Sequence, residues 1–378
     1  MQEKIYKIIN NEKMLHDIVS VVELVDSIVT FALYRNASDI HIDPSPNGTV
    51  VKFRIDGVLT VIDTLLHDTH EEVIARIKVV SGLRTDIHFV PQDGRFKFAQ
   101  LSFNCDVRVS IIPTHYGENA VLRILKNDKE IPTLGSLGFS ELDVDRILTS
   151  LSLHQGMILV TGPTGSGKTS TLYTLIASLA TNKNSIITLE DPIEYAIPDV
   201  RQIQINSKHG ITFANGLRSI VRQDPDIIMV GEIRDKETAV IATNVSLTGH
   251  LLLSTLHTNS ALGAIPRLVD MGIDPYLVAS TLSLVIAQRL VRKTCRVCFG
   301  AGCGCVVCDG SGYKGRTVVA ETLMVDDEMR KYIMTRTSMA DITLHARSKG
   351  MKTMHEDAMI KVENGITTEN EVNRTLHE

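Results

Sequence analysis

No uninterrupted apolar run in these 378 residues is long enough to cross a bilayer, so no helical membrane span is expected. The most apolar early stretch, Ile18 to Tyr34, is broken by Glu23 and Asp26. Its Val22, Val25, Val29, Ala32 and Leu33 recur at helical spacing, the pattern of an amphipathic helix. No targeting segment is expected either: Met1 to Lys13 is polar and charged, without the apolar core of a secretion signal. There is no positive excess. Lysine and arginine number 39 against 44 acids, a net charge of −5 with a pI near 6.2, so no general electrostatic grip on nucleic acid is expected. No low-complexity tail is present. Cysteine is scarce, six in all; in a chain that reads as cytosolic, these are metal ligands or free thiols rather than disulfides. The rest is 43% apolar, with length for two or three domains.

Against these absences stands Gly162-Pro163-Thr164-Gly165-Ser166-Gly167-Lys168-Thr169, which reads G-x-x-x-x-G-K-[ST]. The apolar run Met157 to Val160 leads in like a buried parallel strand, and Ser170 to Ile176 leads out like a helix. Glycines at 162, 165 and 167 let backbone amides turn inward, and a helix N-terminus adds partial positive charge. Lys168 can reach the β- and γ-phosphates of ATP, and the Thr169 hydroxyl can ligate Mg²⁺. The nucleotide-binding set is therefore Gly162 through Ser170.

Three further segments end apolar runs in polar residues, where open α/β sheets bind ligands. Thr188 to Glu194 crowds Glu190, Asp191 and Glu194 at a strand end, placed to hold Mg²⁺ through water or to orient an attacking water; a solvated acidic turn would look the same. Ile227-Ile228-Met229-Val230-Gly231-Glu232 has the form of a Walker B strand, with Glu232 the acid that polarises water. Gly231 stands where many P-loop ATPases place the Mg²⁺-organising Asp. Thr248 to His257 ends in a histidine that can sense the γ-phosphate or serve as a structural hydrogen-bonder. Arg218 and Arg222, four apart, share a helix face if 213–222 is helical; phosphate, a neighbouring subunit and surface acids are all open to them.

Cys295-x-x-Cys298 and Cys305-x-x-Cys308 repeat at a ten-residue offset, each pair followed by alternating glycines, Gly300 and Gly302, then Gly310 and Gly312. Four thiolates so spaced suit tetrahedral Zn²⁺ in a closed, structural site, with free thiols the alternative. Cys303 can compete with Cys305. Cys105 reads as core.

The chain divides into a leader (1–17), an α+β domain (18–126), a linker (127–136), a parallel α/β domain (137–290), the tetracysteine segment (291–316) and a helical C-terminal region (317–378). In the first domain, strands are expected at 37–44, 50–59 (a hairpin through Asp56-Gly57), 107–112 and 120–125, a helix at 71–81, and a turn at Asp93-Gly94. In the second, the strands are 157–161, 186–189, 227–230 and 251–256.

Together these segments resemble the type II secretion and type IV pilus assembly ATPases. The resemblance runs from about residue 20 to the end. It rests on Ser38-Asp39-Ile40-His41, Arg54-Ile55-Asp56-Gly57, Pro91-Gln92-Asp93-Gly94-Arg95, the P-loop, Glu190 to Glu194, Leu217 to Asp226, Gly231-Glu232, Thr248 to His257, Ala287-Gln288-Arg289-Leu290 and Gly312-Tyr313-Lys314-Gly315-Arg316, in that order. It implies a PAS-like N-terminal domain, a RecA-like ATPase domain and a homo-hexamer at the inner face of the cytoplasmic membrane, working on a platform protein. It also implies that Arg95 and Arg108 close over the phosphates, that Glu232 is catalytic with Glu194 and Glu190 in reserve, and that the zinc segment marks an assembly motor rather than a retraction motor. The chain begins almost at the PAS-like domain, so the extra N-terminal domain with which larger relatives dock on a membrane-associated adaptor is not expected. The gap between the cysteine pairs is shorter than in many relatives, and His88-Phe89-Val90 replaces residues that are often basic. A nucleic-acid translocase gripping its substrate with the cysteine segment is the competing class; Phe299 and Tyr313 are the only aromatics near it.

Overall fold

The structure is a computed structural model and describes residues 20–100, 103–126, 131–180, 183–303 and 305–376. The 1–17 leader lies outside the described residues, as does the start of the 127–136 linker. The chain forms two compact units, residues 1–130 and 131–378.

In the first unit, α1 (Val21–Tyr34) precedes β1 (Asp39–Ser45), β2 (Gly48–Ile55), β3 (Val58–Leu65), α2 (Thr69–Val80), β4 (Gln92–Gln100), β5 (Phe103–Thr114) and β6 (Gly117–Lys126). The strands form one antiparallel sheet in the order β3-β2-β1-β6-β5-β4. Alternation along the strands sends Ile40, Ile42, Val51, Phe53, Val107, Val109 and Leu122 to one face, where they are buried with Leu24, Ile28 and Phe31 of α1 and Val73, Ile74 and Ile77 of α2. Two expectations fail here. Asp93-Gly94 is not a turn but lies inside β4. Gly94 is required by close approach: a Cβ there would sit 2.8 Å from the Ser81 carbonyl oxygen and 2.9 Å from the Leu83 side chain. Nor does Pro44 end β1, which runs one residue further; its missing N–H is tolerated where the strand nears its turn.

The second unit is built on a seven-stranded sheet: β7 (Gly156–Thr161), β8 (Ile186–Glu190), β9 (Arg201–Gln204), β10 (Ile227–Val230), β11 (Leu251–Leu256), β12 (Leu282–Thr294) and β13 (Tyr313–Met324). Their order is β13-β12-β7-β11-β10-β8-β9, parallel from β12 to β9, with β13 antiparallel at the edge. β7, β8, β10 and β11 are buried along their whole length; a strand covered on both faces reads as a continuous apolar run, which is why these four are legible in the sequence. α3 (Lys168–Leu179), α4 (Phe213–Ile220) and α5 (Lys236–Leu247) fill the crossovers. Alternate residues of the strands enter two cores, Met157, Leu159, Ile228 and Val230 on one face, Ile158, Val160, Met229 and Leu253 on the other.

The helical C-terminal region does not begin at 317. Residues 313–324 are β13, paired with β12 from Leu284↔Met324 to Thr294↔Tyr313, and helices start at Asp327. Thr317 to Leu323 is buried throughout, so it carries no helical polar face. The tetracysteine segment is therefore the tip of a β-hairpin whose arms belong to the sheet.

Candidate nucleotide site

The P-loop joins β7 to α3. Gly162, Gly165 and Gly167 have φ of 144°, 80° and 87°, in the left-handed region that glycine alone adopts freely. At Gly162 space is also decisive: a Cβ would lie 2.5 Å from the Gln288 carbonyl oxygen and 2.6 Å from Ser166 Oγ. α3 starts at Lys168, so its first amides face the loop. The Lys168 ammonium donates to the carbonyls of Gly162 and Pro163, both at 2.9 Å. Burial lowers its pKa from the ordinary value; the Glu232 carboxylate opposes that fall and Arg289 adds to it. Ser166 Oγ is buried with no hydrogen-bond partner among the described residues. A glycine cradle, a helix N-terminus, a folded-back lysine and an unsatisfied buried hydroxyl are what a polyphosphate would use. Pro163, Thr164, Thr169 and Ser170 complete the loop and first turn.

Glu232 follows β10. The Gly231 amide donates to the Leu189 carbonyl at 2.8 Å, Thr255 Oγ1 donates to the Gly231 carbonyl at 2.8 Å, and the Ile233 amide donates to the Thr255 carbonyl at 3.0 Å. The residue is thus bracketed by β8 and β11. A Cβ on Gly231 would come within 3.3 Å of the Leu189 oxygen, a close but not forbidding contact. The Glu232 carboxylate is largely covered; Arg234 meets it at 2.5 Å and His257 Nε2 lies 3.5 Å away. His250 instead stays local, with Nδ1 3.2 Å from the Val245 carbonyl oxygen.

Glu190 points inward. One oxygen takes the Tyr173 hydroxyl, the other accepts from Thr188 Oγ1 at 2.5 Å and Gln202 Nε2 at 3.1 Å, and the residue is 3% exposed. Its oxygens are engaged by protein, unlike the open ligand expected from the sequence. Glu194 is partly exposed on the loop that follows. Burial and the bond to Glu190 push the Tyr173 pKa far up, so its hydroxyl stays protonated.

Arg95 and Arg108 are cross-strand neighbours on β4 and β5. Arg108 faces Arg123 of β6, Arg123 faces Asp39 of β1, and Asp39 faces Arg54 of β2. Asp39 holds Arg123 at 3.0 Å and lies 3.7 Å from Arg54. Sequence reasoning missed Arg123, whose only signal is a charge in phase with the exposed positions of an alternating run. It gave no role to Gln288 of β12, which stands in the Ala287 to Leu290 motif and braces the P-loop, or to Arg234. Arg218 pairs with Glu237 at 2.8 Å, and Arg222 donates to the Arg218 carbonyl at 2.7 Å. His88 lies 2.8 Å from Glu118, which is itself paired with the buried Lys78 at 2.7 Å.

The sulfurs of Cys295, Cys298, Cys305 and Cys308 all lie within 4.8 Å of one another, with 3.9 Å between Cys295 and Cys305 and 3.6 Å between Cys298 and Cys308. Four bonds of about 2.3 Å to a tetrahedral metal put sulfurs about 3.8 Å apart. The Gly302 amide donates to Cys298 Sγ at 3.4 Å and the Gly312 amide to Cys308 Sγ at 3.3 Å. The Gly302 bond draws the Cys298 thiol pKa down, whereas burial pushes that of Cys308 up. Cys303 is exposed, and Cys105 is buried in the first unit.

A family model described as "Type II/IV secretion system protein" matches residues 14–374. The "Type IV pilus assembly ATPase PilB" of Thermus thermophilus is 44% identical over 375 residues, covering 93% of this chain but 42% of that protein. The "Type II secretion system protein E" of Pseudomonas aeruginosa is 43% identical over 385 residues, covering 96% of this chain and 76% of that protein. Among solved structures, the ATPase DotB of Legionella pneumophila superposes with a TM-score of 0.71 at 25% identity, over 92% of this chain and 94% of that one.

Proposed function

Because the chain belongs to the type II/IV secretion system protein family, we propose that it is the ATP-hydrolysing motor of a type II secretion or type IV pilus assembly machine. The observation that carries the site assignment is the convergence of Lys168, Glu232 with Arg234, and His257 at the C-terminal ends of β7, β10 and β11, three adjacent parallel strands. Ligands of such sheets bind there. The glycines and first amides of α3 cradle the phosphates, and Lys168 exchanges its two carbonyl partners for phosphate oxygens. Bound Mg²⁺ supplies charge neutralisation at the phosphates, with the Thr169 hydroxyl its protein ligand; the engaged oxygens of Glu190 make that residue a poorer candidate. Glu232 orients the attacking water, with Glu194 in reserve. His257, beside Glu232, responds to the γ-phosphate. Arg95 and Arg108, which the family resemblance assigns to the phosphates, stand in one cross-strand row with Arg123 within the first unit. Catalysis of this kind is positioning plus charge stabilisation.

The same reading makes the first unit a PAS-like domain, the second a RecA-like one, and the four cysteines a structural Zn²⁺ site. It places a homo-hexamer at the inner face of the cytoplasmic membrane, acting on a platform protein and calling for no nucleic acid. No helix among the described residues is long and apolar enough to cross a membrane. Glu232→Gln is expected to bind ATP with unchanged affinity and to hydrolyse it about a hundredfold more slowly or worse. Full turnover removes Glu232 from its role. Cells deprived of the chain are expected to lack the fibre or the secreted substrate; fibres that persist favour a retraction motor instead.

A further inference from the structure

Tyr173 stands five residues into the helix that begins at the P-loop, and it is fully buried. Its hydroxyl does two things at once: it donates to Glu190, the last residue of β8, and accepts from the Glu194 amide at 3.2 Å. Its ring meets that of Tyr195 edge-on, with centroids 4.6 Å apart. The far side of the loop is tied by Gln202 of β9, which donates to Glu190 and to the Tyr195 carbonyl at 3.1 and 3.2 Å and accepts from the Ile197 amide at 2.8 Å. The segment from 190 to 197 is therefore sewn on one side to α3 and on the other to β9.

We propose that Tyr173 is a positioning residue that couples the phosphate-binding helix to the acidic loop, with Glu190 as its anchor and Glu194 as the group it places. The inference rests on the nucleotide site read above and extends it. α3 presents its first amides to the phosphates, so any shift of the helix on nucleotide binding is passed through a buried phenol to the Glu194 backbone. A hydroxyl with one donor and one acceptor partner fixes the loop along two directions, which apolar packing of the ring alone does not. Tyr173, Tyr195 and Gln202 lie outside the phosphate loop, so loss of the hydroxyl affects the reacting geometry and spares binding.

The test is Tyr173→Phe in the full chain, which keeps the ring and removes the hydroxyl. The expected result is a fall in kcat of tenfold or more, with KM for ATP and affinity for a non-hydrolysable ATP analogue within twofold of wild type. Hydrogen exchange at the Glu194 amide quickens, while exchange along β7 is unchanged. A kcat within twofold of wild type overturns the proposal, as does an ATP affinity that falls in step with kcat. Gln202→Met provides the same readout should Tyr173→Phe fail to fold, because it unpins Glu190, Tyr195 and Ile197 from β9 without altering α3. Normal turnover by Tyr173→Phe, or by Gln202→Met where Tyr173→Phe does not fold, overturns the coupling and leaves Glu232 in place. Full turnover by Glu232→Gln overturns the site reading instead, with the kcat-against-KM split at Tyr173 still legible against wild type.

Discussion

Gln288 donates its side-chain amide to the Ser166 carbonyl at 2.8 Å, joining the middle of β12 to the P-loop. Its own side-chain oxygen accepts from Thr171 Oγ1 at 2.9 Å, and the residue is wholly buried. The loop proposed to hold a triphosphate is thus braced from the neighbouring strand as well as by its own glycines. Gln288→Leu keeps the volume but leaves the Ser166 carbonyl and Thr171 hydroxyl unpaired. A buried polar group stripped of its partner costs about 1–3 kcal/mol. The expected outcome is a roughly tenfold or greater loss of affinity for ATP, checked by titration with a fluorescent ATP analogue.

The tetracysteine hairpin makes a different kind of prediction. Gly302 and Gly312 sit reciprocally against the opposite knuckle: a Cβ on Gly302 would lie 2.6 Å from the Gly310 oxygen, and one on Gly312 would lie 2.7 Å from the Gly300 oxygen. Each of the two glycines also supplies the amide that meets a sulfur. Gly302→Ala, at φ 72°, is both strained and crowded. It should weaken retention of a single structural metal per chain, measured by elemental analysis after dialysis against a chelator, with wild type keeping its metal under the same conditions. Equal retention by the variant removes the reciprocal packing from any part in metal binding.

Acid stability is tied to Glu371, which docks the last helix on β12. It receives Arg292 at 2.7 Å and Arg374 at 2.6 Å and is 1% exposed. Burial by itself raises the carboxyl pKa, but the bonds from Arg374 and Arg292 outweigh it and hold the pKa at about 2. A folded-state pKa below the ordinary 4.5 means stability that is complete above that value. It is lost as pH falls from 4.5 through about 2. Glu371→Gln should be less stable than wild type at neutral pH, and the gap should narrow across that window. Thermal melts of both proteins from pH 6 down to the lowest pH at which they stay soluble check it; a gap that stays constant with pH refutes the assignment.

The parallel core and the P-loop are legible in the sequence because both depend on local pattern. β7, β8, β10 and β11 are buried on both faces, so each appears as a short apolar block, and the phosphate loop needs glycines at fixed spacing whatever surrounds it. β13 was hidden for a related reason. Its β-branched run Thr317-Val318-Val319 is a local strand signal, but it lies between a glycine-rich segment and helices, and β12 is what shows it to be a strand. Asp93-Gly94 misled because glycine serves close packing as well as turns, and only the neighbours at Ser81 and Leu83 show which.

The linear order of residues determined by itself that a phosphate loop follows a buried strand, that an acid ends another, and that four cysteines come in two matched pairs, since each is a matter of spacing along the chain. Tertiary structure decided what those groups face. Glu190 and Glu232 are alike in sequence, each an acid closing an apolar strand, yet one is turned inward onto Tyr173, Thr188 and Gln202 while the other meets Arg234 and lies beside His257. Thr188 and Arg234 are sequence neighbours of their glutamates, but Tyr173, Gln202 and His257 come from other strands and helices, and that part of the difference no local pattern carries. The bracing of Ser166 by Gln288, 122 residues away, has the same origin.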